Sequence, residues 1–418
     1  MAEPVLRALS ALNLTHPTPI QQDAIPVVLD GLDVVGVAQT GTGKTAAFGL
    51  PLLHRLAAES RRPAPRSARA LILAPTRELA LQIEESLRGF ARHLRLRICP
   101  ILGGVARRPQ ASRLAGGVDI VVGTPGRVVD LMSTDELRLG SVACFVLDEA
   151  DRMLDLGFAR DIRKIALALP DDRQTLMFSA TMPAEVTRLA QALLRDPVHV
   201  AVSKTDVAPA AIAQQVYFVA NADKRGLLNR LLGDPDIARA IVFTRTKHGA
   251  NRVAKHLVQG GTRAEAIHGN KSQSARQGSL ARFRDGSARV LVATDIAARG
   301  IDVADVSHVI NFDLPVEVDS YVHRIGRTAR AGASGTAITF CDAAEHAALR
   351  EIERRTGLTM TVAGGTPPTQ SCANTPRTGK GRPRAGGQTG QDKPTVTHGG
   401  PRKRRSRVGQ RKGFQAAA

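Results

Sequence analysis

The sequence predicts two α/β lobes in tandem, each a parallel sheet with helices on both faces, followed by a basic tail that does not fold. Three observations predict it. Apolar runs of strand length alternate with helical patterns, the signature of parallel strands joined by crossover helices. The series lapses once, around SKTDVAP, and then resumes. From about Gly364 the apolar runs stop and Gly, Pro, Thr, Gln, Lys and Arg take over, a composition that buries too little surface to offset chain entropy. The boundaries are 1–203 for the first lobe, 204–212 for the connector, 213–363 for the second lobe and 364–418 for the tail.

In chain order, residues 5–14 form an amphipathic helical segment. Pro17 and Pro19 in HPTPIQ are expected to forbid regular helix and to hold Gln21 at a turn ahead of a helix over 22–29. The apolar run 34–37 then breaks into AQTGTGKT. Gly41 and Gly43 free the backbone for conformations a Cβ opposes, which turns N–H groups toward an anion. A helix continues through Ala46, Ala47, Phe48 and Leu50, so its positive end points at the same place, and Lys44 adds a mobile ammonium. Strand, GxxxxGK[ST] and helix together make the context of a P-loop. Ala38, Gln39, Thr40, Gly41, Thr42, Gly43, Lys44 and Thr45 form the cradle, with Thr45 as a Mg²⁺ ligand. A glycine turn that merely joins strand to helix would not need Lys and Thr in this register.

Further strands are expected at 70–74, 98–102, 119–122, 144–147 and 175–178 in the first lobe. The second lobe repeats the pattern at 215–219, 240–243, 265–267, 290–293, 308–311 and 336–340, without a P-loop. At the end of CFVLDEAD, Asp148 and Glu149 emerge at the carboxyl edge of a strand, where open parallel sheets bind ligands. Asp148 is expected to hold Mg²⁺. Glu149, turned the other way by the two-residue period of the strand, is expected to orient or deprotonate the attacking water. The plainer reading of the same acids is a charge-complemented helix start over 150–156.

The net charge of +20 and pI near 10.9 favour a polyanionic partner. Twelve Lys and Arg after Gly364 stand against one acid, Asp392, and Arg402, Lys403, Arg404, Arg405 and Arg407 are dense enough to displace phosphate counterions. No apolar run reaches the roughly 18 residues a membrane span needs, and the N-terminus lacks a basic start before a cleavable apolar stretch, so a cytoplasmic setting is expected. Cys99, Cys144, Cys341 and Cys372 are widely spaced with no CxxC pair, which argues that three are small buried apolar residues and against a disulfide or zinc site. With no Trp and two Tyr, nucleic acid would be held through its backbone rather than by base stacking.

The order AQTGTGKT, PTREL, GG, TPGR, DEAD, SAT, HGN with QSAR, ATDIAARGID and YVHRIGRTARAG resembles the DEAD-box ATP-dependent RNA helicases, of the bacterial RhlE-like kind, over roughly residues 13 to 345. The resemblance implies two tandem RecA-like domains. It also implies that Gln21 reads adenine, which an amide suits because it donates and accepts at once, so the nucleotide is ATP. Where the family pattern has Gly and an aromatic at the head of this motif, the chain has Asn13 and Leu14. An isolated aromatic of the family pattern would fall before Met1, leaving a shortened start or a weaker grip on adenine as the alternatives.

By the same resemblance Asp151, Ser179, Thr181 and His323 couple hydrolysis to strand separation. Asp302 meets the ribose, and Arg327 and Arg330, three apart on one helical face, act as arginine fingers on the γ-phosphate. Arg77, Gly103, Gly104, Thr124 and Arg127 in the first lobe, with Thr244, Gln273, Arg276 and Thr294 in the second, are placed on the RNA. Small donors, bare backbone and guanidinium groups suit a phosphodiester chain and read no base edge, so binding is expected to be sequence-independent.

The expected activity is RNA-stimulated ATP hydrolysis that locally unwinds or remodels short RNA duplexes or RNA–protein complexes, with ribosome assembly or RNA decay as candidate settings. The basic tail would tether the enzyme to structured RNA. A DNA translocase on the same lobes and a noncatalytic RNA chaperone or clamp are the alternatives; dependence of turnover on RNA and on Glu149 separates them.

Overall fold

A computed structural model describes residues 1–39, 41–59, 62–202, 212–298, 306–329 and 334–367. Thr40, Asp302, Arg330, Cys372, nearly all of the expected connector and the tail from 368 onward lie outside the described residues.

Two helices, α1 (Glu3–Ala11) and α2 (Pro19–Leu29), lead into the first lobe. There β1 (Val34–Val37), α3 (Lys44–Ala58), β2 (Ala68–Leu73), α4 (Arg77–Phe90), β3 (Ile98–Ile101), α5 (Arg107–Leu114), β4 (Val118–Gly123) and α6 (Pro125–Ser133) alternate. They are followed by β5 (Cys144–Asp148), α7 (Ala150–Asp155), α8 (Ala159–Leu167), β6 (Gln174–Ser179), α9 (Ala184–Leu193) and β7 (Val198–Ala201). The second lobe runs β8 (Ile212–Phe218), α10 (Lys224–Leu232), β9 (Ala240–Phe243), α11 (Lys247–Gln259), β10 (Ala264–Ile267), α12 (Gln273–Arg284) and β11 (Val290–Ala293). It closes with α13 (Asp295–Ala298), β12 (His308–Asn311), α14 (Val318–Ile325), β13 (Gly335–Cys341), α15 (His346–Thr356) and β14 (Thr361–Gly364).

Both sheets are parallel, with strand order β3-β4-β2-β5-β6-β1-β7 in the first and β10-β11-β9-β12-β13-β8-β14 in the second. The two orders are the same permutation, so the lobes are two copies of one topology. Central strands β2, β5 and β6 are buried along their whole length, as a sheet covered on both faces requires. Their side chains alternate between two cores. Ile72, Val146 and Phe178 meet Phe48 and Leu87 of α3 and α4, while Leu71, Phe145 and Met177 meet Val128, Ile162 and Val186 of α6, α8 and α9.

Edge strands β7 and β14 escaped the sequence reading for a physical reason: each is four residues long and at most half buried, so neither presents an apolar run. The expected turn around Gln21 is also corrected. Helix α2 begins at Pro19, two residues before Gln21, because a proline in the first turn gives up only an N–H that has no helical partner. Asn13, at the family's glycine position, takes φ 55°; after Gly, Asn tolerates that left-handed conformation best. Cys99, Cys144 and Cys341 are buried, and burial pushes their thiols up to about 11, 12 and 12. No helix among the described residues is long and apolar enough to cross a membrane.

Candidate active site and nucleic-acid cleft

The loop between β1 and α3 lies at the carboxyl edge of the first sheet. Gly41 and Gly43 take φ 91° and 92°, the left-handed region that a side chain resists. Gly43 lacks a Cβ for a second reason, since one would collide with the Gln21 amide and the Thr18 hydroxyl. That close approach laces α2 to the loop. Gln21 Nε2 donates to the Gly43 carbonyl at 3.0 Å, Thr18 Oγ1 to the Thr42 carbonyl at 2.8 Å, and Thr42 Oγ1 to the Gln39 carbonyl at 2.8 Å. Gln21 Oε1 accepts the Thr18 N–H at 3.0 Å. Lys44 is 5% exposed and donates from Nζ to the Ala38 carbonyl at 2.9 Å, closing the loop on itself, and Thr45 follows half-buried at the head of α3.

The second lobe repeats this strand-to-helix step without the loop. Lys224 opens α10 after β8 as Lys44 opens α3 after β1. Its ammonium is fully buried and donates to Glu345 Oε2 at 2.6 Å. A carboxylate of the chain itself neutralises it, so this turn offers no phosphate cradle.

Strand β5 delivers Asp148, whose Oδ1 accepts the Glu149 N–H at 3.0 Å. Burial pushes its carboxyl up to about 6, against the pull of Lys44. Glu149 is not aimed by strand alternation, contrary to the sequence reading. It has left the strand and takes φ 55° and ψ 56° at the head of α7, a strained conformation of the kind that concentrates at functional sites. Arg152, one helical turn on, reaches Glu149 Oε2 at 2.9 Å, with both side chains 7% exposed. Desolvation alone would raise the Glu149 carboxyl, but Arg152, Lys44 and Arg327 outweigh it and hold it down at about 2.

Asp151 is the hub of the neighbouring turn. Its Oδ2 accepts the Thr181 N–H at 2.9 Å and the Thr181 hydroxyl at 2.8 Å, while its own N–H donates to Ser179 Oγ at 3.2 Å. Ser179 Oγ in turn donates to the Thr181 carbonyl at 2.8 Å. These bonds join β6 to α7 within the first lobe.

The lobes meet over this edge. Arg327, 5% exposed beyond the end of α14, lies near enough to act on Glu149, and its Nε donates to the His323 carbonyl at 3.1 Å. A second contact lies between α4 and α12. Gln273 Nε2 donates to Glu78 Oε1 at 3.0 Å, Arg77 Nη1 donates to Gln273 Oε1 at 3.2 Å, and Arg276 pairs with Glu78 Oε2 at 3.1 Å. The structure therefore turns Gln273 toward the other lobe rather than toward an open groove. Arg276 both pairs with Glu78 and lines the cleft described next.

That open cleft is lined by Arg77, Gly103, Thr124, Arg127, Phe158 and Arg276, among others. Gly104 takes φ 68°, and a Cβ there would strike the Arg77 guanidinium. Burial, then the Arg276 and Arg127 charges, lower the Arg77 guanidinium against the opposing effect of Glu78. Like charges held together on a concave, partly buried surface favour an anion between them. Gly103 N–H donates to Thr124 Oγ1 at 3.4 Å, and both Arg127 Nη atoms donate to the Val105 carbonyl at 3.1 Å. In the second lobe Thr244 is fully buried with its hydroxyl on the Thr246 carbonyl at 3.2 Å, and Thr294 is 9% exposed at the end of β11.

Sequence reasoning passed over Arg152 and Glu78. Arg152 was findable, since a cation three residues after an acid on a helix shares its face. Glu78 was not, because its partners lie in the other lobe.

Two copies of one parallel α/β topology, a single P-loop and an arginine brought to its acidic pair from the other lobe define a tandem RecA-like nucleoside-triphosphatase. Residues 18–189 match the DEAD/DEAH box helicase family and residues 223–332 the helicase conserved C-terminal domain. Over 356 residues the chain is 44% identical to the DEAD-box ATP-dependent RNA helicase CshA of Bacillus cereus, covering 85% of this chain and 67% of that one. It is likewise 44% identical to the RNA helicase CrhR of Synechocystis, covering 85% and 71%. The chain thus spans about two thirds of the length of these relatives. The solved structure of Dbp5 from S. cerevisiae bound to RNA and ADP BeF3 is similar with a TM-score of 0.78 and 32% identity, over 87% of this chain and 94% of that one. The chain belongs to the DEAD-box ATP-dependent RNA helicase family.

Proposed function

We propose that this chain hydrolyses ATP when RNA lies in the Arg77–Arg127 cleft, and that lobe closure locally separates short RNA duplexes or remodels RNA–protein complexes. The observation that carries this reading is that Arg327 of the second lobe lies near enough to act on the Glu149 carboxylate of the first, since an arginine arriving from a separate body is what spreads γ-phosphoryl charge.

In this proposal the Gln21 amide recognises adenine. It uses one donor and one acceptor on the loop and the helix start, and of its four hydrogen-bonding positions one of each kind is left for the base. Lys44 exchanges the Ala38 carbonyl for phosphate oxygens. A divalent cation fits this site: Asp148 is a buried carboxylate on which Lys44 acts as the neighbouring cation, and the half-buried Thr45 follows in the loop. Asp148 and Thr45 would hold Mg²⁺, which supplies charge neutralisation at the phosphates. Glu149, kept ionised by Arg152, orients the attacking water and accepts its proton. Asp302 on the ribose and Arg330 as a second finger complete the set by resemblance to the family.

Ser179, Thr181 and Asp151 would report the state of the acidic turn to the rest of the molecule, with His323 beside Arg327. Thr244, Thr294, Gln273 and Arg276 complete the RNA side, the last two by fixing the lobes. The tail beyond Gly364 would raise the local concentration of structured RNA.

The test is ATP turnover with and without RNA, beside Glu149→Gln and a chain ending at Gly364. RNA stimulation that Glu149→Gln abolishes, with ATP-dependent RNA grip retained, supports the reading. Turnover at full speed without RNA sinks it, and an unchanged salt slope after truncation sinks the tethering role.

A further inference from the structure

Outside the tail the chain carries nine net positive charges, and seven of these fall within residues 88–118, which hold seven arginines and no acid or lysine. The folded part is therefore close to neutral except on one strip. In the structure that strip is the β3 edge of the first lobe: the end of α4, the loop into β3, then the turn and helix α5 after it.

Arg92, Arg95, Arg97, Arg108 and Arg113 are exposed, and none is paired with a carboxylate among the described residues. Arg97 Nη2 donates to the Gly116 carbonyl, at 3.1 Å. The two ends of the strip converge, since α5 packs on β3 and Arg113 lies near enough to bear on Cys99 within that strand. The strip also runs into the cleft. Asp130 takes Arg127 of the cleft at 3.3 Å on Oδ2 and Arg107, the first residue of α5, at 3.9 Å on Oδ1.

Neither edge protection nor a protein partner accounts for this strip as well as a polyanion does. Charges that merely guard a sheet edge belong on the edge strand, yet β3 is ICPI, with no charge. Its Pro100 already blocks strand addition, which disfavours a β-pairing protein partner as well. The one aromatic of the segment, Phe90, is buried, so the surface offers guanidinium groups and no stacking platform. That chemistry fits a phosphodiester chain irrespective of base.

We propose that this edge is a second RNA-backbone site, which holds the single strand as it leaves the cleft and so lengthens the footprint of the first lobe. The inference rests on RNA being the strand in the cleft. Its test uses the full chain and the variant R92Q/R95Q/R108Q/R113Q, none of which lies in the catalytic set. RNA-stimulated ATP turnover is titrated with an oligouridine of about six nucleotides, enough for the cleft, and with one of about thirty.

The expected result is that the variant needs about tenfold more of the long RNA. Its log–log salt slope for that RNA falls by about 2 to 3, while kcat and the response to the short RNA stay as in the parent. The matching arginine-to-lysine variant, which keeps the charge, regains most of the long-RNA response. An unchanged requirement for the long RNA overturns the proposal. So does an equal shift for both lengths, which would report damage to the fold or the cleft. Failure of any RNA to stimulate the parent chain would instead remove the reading of the cleft itself.

Discussion

Gln273 on α12 donates to Glu78 on α4 across 195 residues of sequence, at 3.0 Å. The other oxygen of that carboxylate pairs with Arg276 at 3.1 Å, so one buried acid receives two of the side chains that α12 presents to the first lobe, while Arg284 at its far end reaches Glu85 at 4.0 Å. This clasp holds Arg77 and Arg276 in the same cleft and ties its geometry to lobe closure.

Glu78→Ala therefore loosens closure without touching the P-loop. Breaking a buried ion pair costs about 3 to 5 kcal/mol where the partner is left buried, and opening of the lobes lets Arg276 reach water and recovers part of that. The RNA concentration for half-maximal ATPase stimulation is expected to rise about tenfold or more, with nucleotide binding to the open chain unaltered. Parallel RNA and nucleotide titrations check this, and an unchanged RNA requirement contradicts it.

Asp148 trades stability for function. Its carboxyl sits near 6 in the folded chain against an ordinary 3.8, so between those values the folded state holds a proton that the unfolded state has lost. Nucleotide-free stability should fall as pH rises from about 4 to 6 and stay lowered above that, by up to about 3 kcal/mol. Asp148→Asn should raise the melting temperature at pH 7 while abolishing Mg²⁺-dependent turnover. Mg²⁺ displaces the same proton, so its apparent affinity should weaken as pH drops through about 6. Calorimetry across that range reads both effects; a variant that melts lower than the parent at pH 7 would refute the assignment.

Gln21→Glu keeps the acceptor for the Thr18 N–H but replaces the donor to the Gly43 carbonyl with an anion. The loop loses one of its two ties to the head of α2, keeping the Thr18–Thr42 bond, and gains a repulsion, worth about 1 to 3 kcal/mol together. The KM for ATP should rise about tenfold or more. Gln21→Ala, which removes the tie without the repulsion, should be milder. If the two variants behave alike, the repulsion at the Gly43 carbonyl contributes nothing; if neither raises the KM, the contact with Gly43 is not what orders the loop.

Gly104→Ala forces a side chain into φ 68° and against the Arg77 guanidinium. The backbone cost is about 1 to 2 kcal/mol, and Arg77 must leave its place. RNA stimulation should need several-fold more RNA, while turnover at saturating RNA changes little. A loss of kcat at unchanged RNA requirement would show that Gly104 serves the chemistry instead of the cleft.

What the sequence determined by itself were the features written in local spacing. The apolar runs located twelve of the described strands, the glycines at 41 and 43 announced the left-handed turns of the loop, and Asp148 was legible as the end of a buried run. Each depends on neighbours within one helical turn or one strand. Only the tertiary structure decided the edge strands, the left-handed turn that aims Glu149, the Glu78 clasp and the convergence of arginines on the β3 edge. Those features depend on which surfaces are buried and which distant charges are brought within a few ångströms. That is set by packing within each lobe and between the two, and no periodicity along the chain encodes it.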